Sequence, residues 1–116
     1  MDVQIFGVKK SAETRKALRF FSERRTKTHF VDLAERAASR GELLRFAQQF
    51  GVGALVNRES KRFAMLGLRM ALYGDDRWLE ILTEEPLMLK MPLVRRGSAL
   101  TIGEAESTWK TWLEKE

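Results

Sequence analysis

The chain has 116 residues, 44% of them hydrophobic and 32% charged, a size and balance that fit one soluble domain with a core of its own. Its formal charge at pH 7 is +5, and it contains one histidine and no cysteine. Disulfides, thiolate metal sites and mechanisms built on a protein sulfur nucleophile are thereby excluded, and His29 alone argues against a histidine-rich metal site.

Val3 to Phe6 is a short apolar, β-prone run ending at Gly7. Beyond it Ala17, Phe20 and Phe21 recur at helical spacing, which predicts a strand followed by a helix. His29 to Leu33, rich in aromatic and β-branched residues, predicts a second strand. The βαβ unit so formed implies parallel strands, both expected at the buried centre of a sheet. Ser39 with Glu42 three residues on is a capping-box signature, and Leu43, Phe46, Ala47 and Phe50 then mark one apolar stripe of a helix that Gly51 stops. A loop is expected over Gly51 to Arg58 and a short helix near Ser60 to Leu66. A further helix is expected from about Asp75, with Trp78, Ile81 and Leu82 buried, before Glu85-Pro86 closes the region. Pro92 opens an extended segment at Leu93 to Arg95, Arg96-Gly97 signals a turn, and Leu100 and Ile102 alternate beyond it, which predicts an antiparallel hairpin. After Gly103, Glu104 and Glu106 suit the positive end of a last helix whose buried stripe is Trp109, Trp112 and Leu113.

This order, β-α-β, helices, β-β-α, describes an α/β fold with a mixed sheet. It reads as one domain over residues 1–116, with a mainly helical insertion at about 39–86. The tryptophans, like Met65, Met70, Met88 and Met91, read as packing residues rather than as stacking platforms or ligands. No apolar run approaches the roughly 20 residues of a membrane span and no signal-peptide stretch opens the chain, so no membrane is expected and the location reads as cytoplasmic. The chain is expected to be a monomer.

Residues 1–27 hold eight basic and three acidic side chains, whereas the other 89 residues hold 13 of each, so the whole excess charge is N-terminal. Such an excess attracts phosphates, small anions or an acidic protein surface. The plainer reading is a solvated helix face. No recognised nucleic-acid motif accompanies the charge, and nucleic acid is not an expected partner.

Particular residues carry a resemblance over nearly the whole chain. They are Ile5-Phe6-Gly7 leading through Lys9-Lys10 to Thr14-Arg15-Lys16-Ala17, then Asn57-Arg58, Leu66-Gly67-Leu68, Glu85-Pro86-Leu87, Met91-Pro92-Leu93-Val94, and Gly103 before the tryptophan helix. In these the chain resembles the ArsC/Spx/YffB family, arsenate reductase-like proteins. That resemblance implies a thioredoxin-like (glutaredoxin-like) fold with a helical insertion, and a cis peptide at Met91-Pro92.

In the arsenate-reducing members, the resemblance implies, a cysteine thiolate at the start of the first helix attacks arsenate, and glutathione and glutaredoxin complete the reduction. Here that position is Ser11. Where those enzymes carry two oxyanion-holding arginines, this sequence has Asn57 and Met91; Asn57-Arg58 is closer to the YffB-like and Spx-like branches.

A serine hydroxyl is far less acidic than a thiol and needs a general base, and no such base is evident beside Ser11. No serine replaces sulfur in disulfide exchange, so arsenate reduction by that route is not expected, and Ser11 reads first as a helix cap. Lys9, Lys10, Ser11 and the helix amides, with Arg15 one turn on, are candidates for an anion cradle. Asn57, Arg58, Met91 and Pro92 complete the candidate anion- or glutathione-binding set, and the backbone beside Pro92 is a candidate for pairing with an extended peptide.

The leading expectation is therefore a cysteine-less family member acting as a non-redox binding or regulatory module, with no required cofactor and no metal. Its rivals are an Spx-like transcriptional regulator binding RNA polymerase and a glutathione-dependent enzyme whose cofactor supplies the thiol.

Overall fold

The computed structural model describes residues 2–114. The chain divides into two compact units, one of Met1–Asp32 with Met91–Glu116, the other of Leu33–Lys90.

The first unit is built on a four-stranded sheet in the order β2-β1-β3-β4. Its strands are β1 (Val3–Gly7), β2 (Thr28–Asp32), β3 (Leu93–Arg96) and β4 (Ala99–Ile102). The helix α1 (Ala12–Glu23) links β1 to β2, which run parallel, with Val3 opposite Thr28 and Gly7 opposite Asp32. Strand β3 lies antiparallel on the other side of β1, with Phe6 opposite Leu93. The hairpin to β4 turns at Gly97, whose φ of 63° is a left-handed conformation that suits glycine. Only β1 of the βαβ pair is central, contrary to expectation. Strand β2 is an edge strand with no buried residue, because β3 takes the place beside β1, and the polar Thr28, His29 and Asp32 suit an edge.

Helix α1 is set by both its cap and its buried face. Ser11 Oγ accepts from the Thr14 amide at 3.1 Å, Glu13 lies in the positive first turn, and Thr14, Ala17, Phe20 and Phe21 are buried. Gly7 allows this helix to sit close to β1: a Cβ there would lie 2.4 Å from Thr14 Oγ1. Against the same core packs α5 (Glu106–Glu114), through Trp109 and Trp112. The Trp109 ring is 5.6 Å from Phe20 and 5.5 Å from Phe21, and its Nε1 donates to Thr101 Oγ1 at 2.9 Å. One core therefore joins the sheet to its two helices, and the buried indole N–H of Trp109 is matched within it.

The second unit is helical. Helix α2 (Arg40–Phe50) begins at a complete capping box between Ser39 and Glu42 and buries Leu43, Phe46 and Ala47. Phe50, expected on the same stripe, is 40% exposed, because the helix ends there and Gly51 turns the chain away with φ 86°. The expected loop over 51–58 contains a 3-10 turn at Val52–Leu55 and a bridge between Val56 and Leu89. Helices α3 (Lys61–Met65), capped by Ser60, and α4 (Asp75–Glu84) follow. Trp78, Ile81 and Leu82 are buried as expected, together with Leu79. A 3-10 turn at Pro86–Met88 closes the unit, with Met88 fully buried, whereas Met65 and Met70 are exposed rather than packed.

Candidate functional site

Val8 to Ser11 forms the turn between β1 and α1, closed by the Ser11 amide donating to the Val8 carbonyl oxygen at 3.0 Å. Its tip places Lys9 and Lys10 in solvent, and Arg15, one turn into α1, folds back so that Nη1 donates to the Lys9 carbonyl oxygen at 2.8 Å. Lys9, Lys10 and Arg15 pair with no carboxylate among the described residues, so three cations gather at the positive end of a helix dipole. Ser11 is half-buried among them. Its hydroxyl oxygen is committed to the Thr14 amide, which satisfies one of the free N–H groups of the first turn.

The Met91-Pro92 bond is cis, as the resemblance implied. Pro92 is buried and its carbonyl oxygen accepts from the Gly103 amide at 2.8 Å. Because Leu93 sits opposite Phe6, Met91 and Pro92 lie at the end of β1 from which the Lys9–Ser11 turn departs. Four of the candidates, Lys9, Lys10, Ser11 and Arg15, thus lie together on the β1–α1 turn and the first turn of α1, and the proline bond adjoins the same sheet end.

His29 is on β2, as expected, but is engaged elsewhere: Nε2 lies 2.9 Å from Asp2 Oδ2. That hydrogen bond is the main reason the Asp2 carboxyl is held below its usual range. The pairing had no signal in the sequence, since the residues are 27 positions apart and meet only through the β1–β2 register. No group of three or more metal-ligating side chains occurs among the described residues.

Asn57 and Arg58 belong to the helical unit. Asn57 is a turn former: its amide donates to the Met88 carbonyl oxygen at 2.8 Å and its Oδ1 accepts from the Glu59 amide at 3.1 Å. Arg58 is exposed, with Cζ 5.6 Å from the rings of both Phe63 and Trp78. It lines a groove with Phe63, Ala64 and Arg69. Arg69 was missed in the sequence, because it lies in an irregular segment with no spacing rule to place it.

The ArsC family model matches residues 6–112, nearly the entire length. The chain belongs to the ArsC family. A curated relative, YusI of Bacillus subtilis (strain 168), is 25% identical over 114 residues, covering 95% of this chain and 97% of YusI. A solved structure of a YFFB protein superposes with a TM-score of 0.85 at 21% identity, covering 94% of this chain and 96% of its own. An arsenate reductase from Vibrio cholerae superposes with a TM-score of 0.81 at 22% identity, covering 93% and 94%. These likenesses establish the thioredoxin-like ArsC fold. No helix among the described residues is long and apolar enough to cross a membrane.

Proposed function

We propose that this ArsC-family chain is a non-redox binding module whose basic mouth, Lys9, Lys10 and Arg15 at the start of α1, receives a small anion or the carboxylates of a glutathione-like peptide. The observation that carries this reading is Ser11. The position that the family resemblance gives to the nucleophilic cysteine holds a hydroxyl occupied in capping the helix, in a chain with no thiol. Arsenate reduction by the family route passes through a protein sulfur that forms and exchanges a disulfide, and this chain supplies none. What supports this reading is the electrostatic half of such a site: a helix N-terminus and cations without carboxylate partners among the described residues. The buried proline beside the same sheet end is consistent with an extended peptide lying there.

Amide NMR titration of the intact protein, with glutathione and separately with arsenate and sulfate, tests the proposal. Saturable shifts confined to residues 9–16 and 91–94, reduced in Lys9→Glu/Lys10→Glu, are expected. Unchanged spectra at millimolar ligand would overturn it.

A further inference from the structure

Exposed apolar side chains occur singly on most soluble surfaces; their concentration is what carries information. Among the described residues eight large hydrophobic side chains are exposed, and five of them, Met65, Leu66, Met70, Leu72 and Tyr73, fall within one nine-residue stretch. The stretch leaves the end of α3 and returns just before α4, and it is anchored at both ends to one aromatic array. Tyr73 meets Trp78 edge-on at 5.3 Å, and Trp78 stacks on Phe63 at 6.5 Å. Between these aromatic contacts Met70 is 83% and Leu72 97% exposed, so two large apolar side chains face solvent beside the array.

Beside the array lies a groove of about 420 Å³ lined by Arg58, Phe63, Ala64 and Arg69. The neighbouring arginines Arg62 and Arg77 are neutralised, by Glu85 and Glu80. Arg58 and Arg69 have no carboxylate partner among the described residues, and Arg58 is held against the rings of Phe63 and Trp78. Two unneutralised guanidiniums on an apolar surface select an occupant that brings both apolar side chains and carboxylates.

We propose that Arg58, Arg69 and the exposed Met65–Tyr73 segment form a docking surface for an acidic, amphipathic segment of a partner protein. The occupant lays its apolar side chains on Met65, Met70 and Leu72 and its carboxylates on the two arginines. Methionines adapt to differently shaped apolar partners, and the arginines fix orientation through bidentate contacts. The surface is built from residues of the helical unit alone and stands whether or not the basic mouth at α1 binds anions.

The test uses the intact protein and a fluorescein-labelled amphipathic peptide carrying leucines on one helical face and glutamates flanking them. Its counterpart with lysine for glutamate is the control. Fluorescence anisotropy is expected to show saturable binding of the glutamate peptide only. Affinity should weaken about tenfold or more in Arg58→Glu/Arg69→Glu. Met70→Asp/Leu72→Asp, which changes only two exposed side chains, should weaken it comparably with an unchanged thermal midpoint. Lys9→Glu/Lys10→Glu should bind the peptide as the parent does. Equal binding of both peptides, no binding, or loss in Lys9→Glu/Lys10→Glu would overturn the proposal. So would concentration-dependent self-association abolished by Met70→Asp/Leu72→Asp, which would assign the surface to a second copy of the chain.

Discussion

Ser11 and Gly7 sit four residues apart and illustrate two kinds of local necessity. The capping role of Ser11 was legible, because a serine before a helical pattern has a short-range partner at a fixed offset. Ser11→Ala is expected to lower stability by about 1 kcal/mol in a urea titration. Ser11→Cys should place a thiol in the field of the helix terminus and the neighbouring cations, with a pKa below the usual value of about 8.5. The pH dependence of its alkylation rate reads this directly, and a profile like that of a free thiol would show the field at this position to be weak. Gly7 was legible only as the end of a strand. Its real constraint is tertiary, since a Cβ would overlap buried Thr14, and no one-dimensional pattern contains that contact. Gly7→Ala should cost about 1–3 kcal/mol, and Thr14→Ala in the same chain should recover part of that loss, as a double-mutant cycle on denaturation midpoints would show.

At the scale of elements, periodicity identified what burial enforces and failed where burial ends. The stripe of α5 was legible because Trp109 and Trp112 are both buried on one face. The same rule overreached at Phe50, the last residue of α2, where the next residue already turns out of the helix. The expectation that both strands of the βαβ unit lie at the centre also failed, because the edge is decided by pairing of β1 with β3, more than 60 residues away in sequence. Trp109 couples two effects. Its ring fills the space between α1 and the sheet, and its N–H is satisfied by Thr101, which is itself buried. Trp109→Ala is therefore expected to cost about 3–5 kcal/mol through the cavity. Thr101→Val, which leaves the shape but orphans the indole N–H, should cost about 1–3 kcal/mol. Equal, small losses in both would mean that α5 contributes little to the core.

At the scale of the whole molecule, the excess positive charge and the carboxylate pairs act together as pH falls. The sequence showed the charge excess directly. It did not show the pairs, because Arg62 and Glu85 are 23 positions apart and meet only when the helical unit has formed. Arg62 grips Glu85 through two hydrogen bonds of 2.6 and 2.8 Å, and this holds the Glu85 carboxyl below the ordinary glutamate range. Glu42 is lowered in the same way, chiefly by Arg36 and further by the Ser39 amide that closes the capping box. A carboxyl lowered in the folded state binds its proton more readily when unfolded. Its stabilising contribution is complete above the unfolded value of about 4.3 and is lost as pH falls through the folded value. Below about pH 4.3 the thermal midpoint should therefore drop as these pairs are protonated, while self-repulsion grows in a chain already carrying +5 at neutral pH. Both pairs are partly exposed, Arg62 and Glu85 by 34% and 25%, so solvent screens the contribution of each. Arg62→Gln separates the two effects: it frees Glu85 to titrate normally and lowers the net charge by one. Its midpoint should be lower than the parent's near neutral pH, and the difference should shrink as the pH falls below about 4.3. Parallel midpoint curves across that window would show that Arg62 stabilises the helical unit by packing alone.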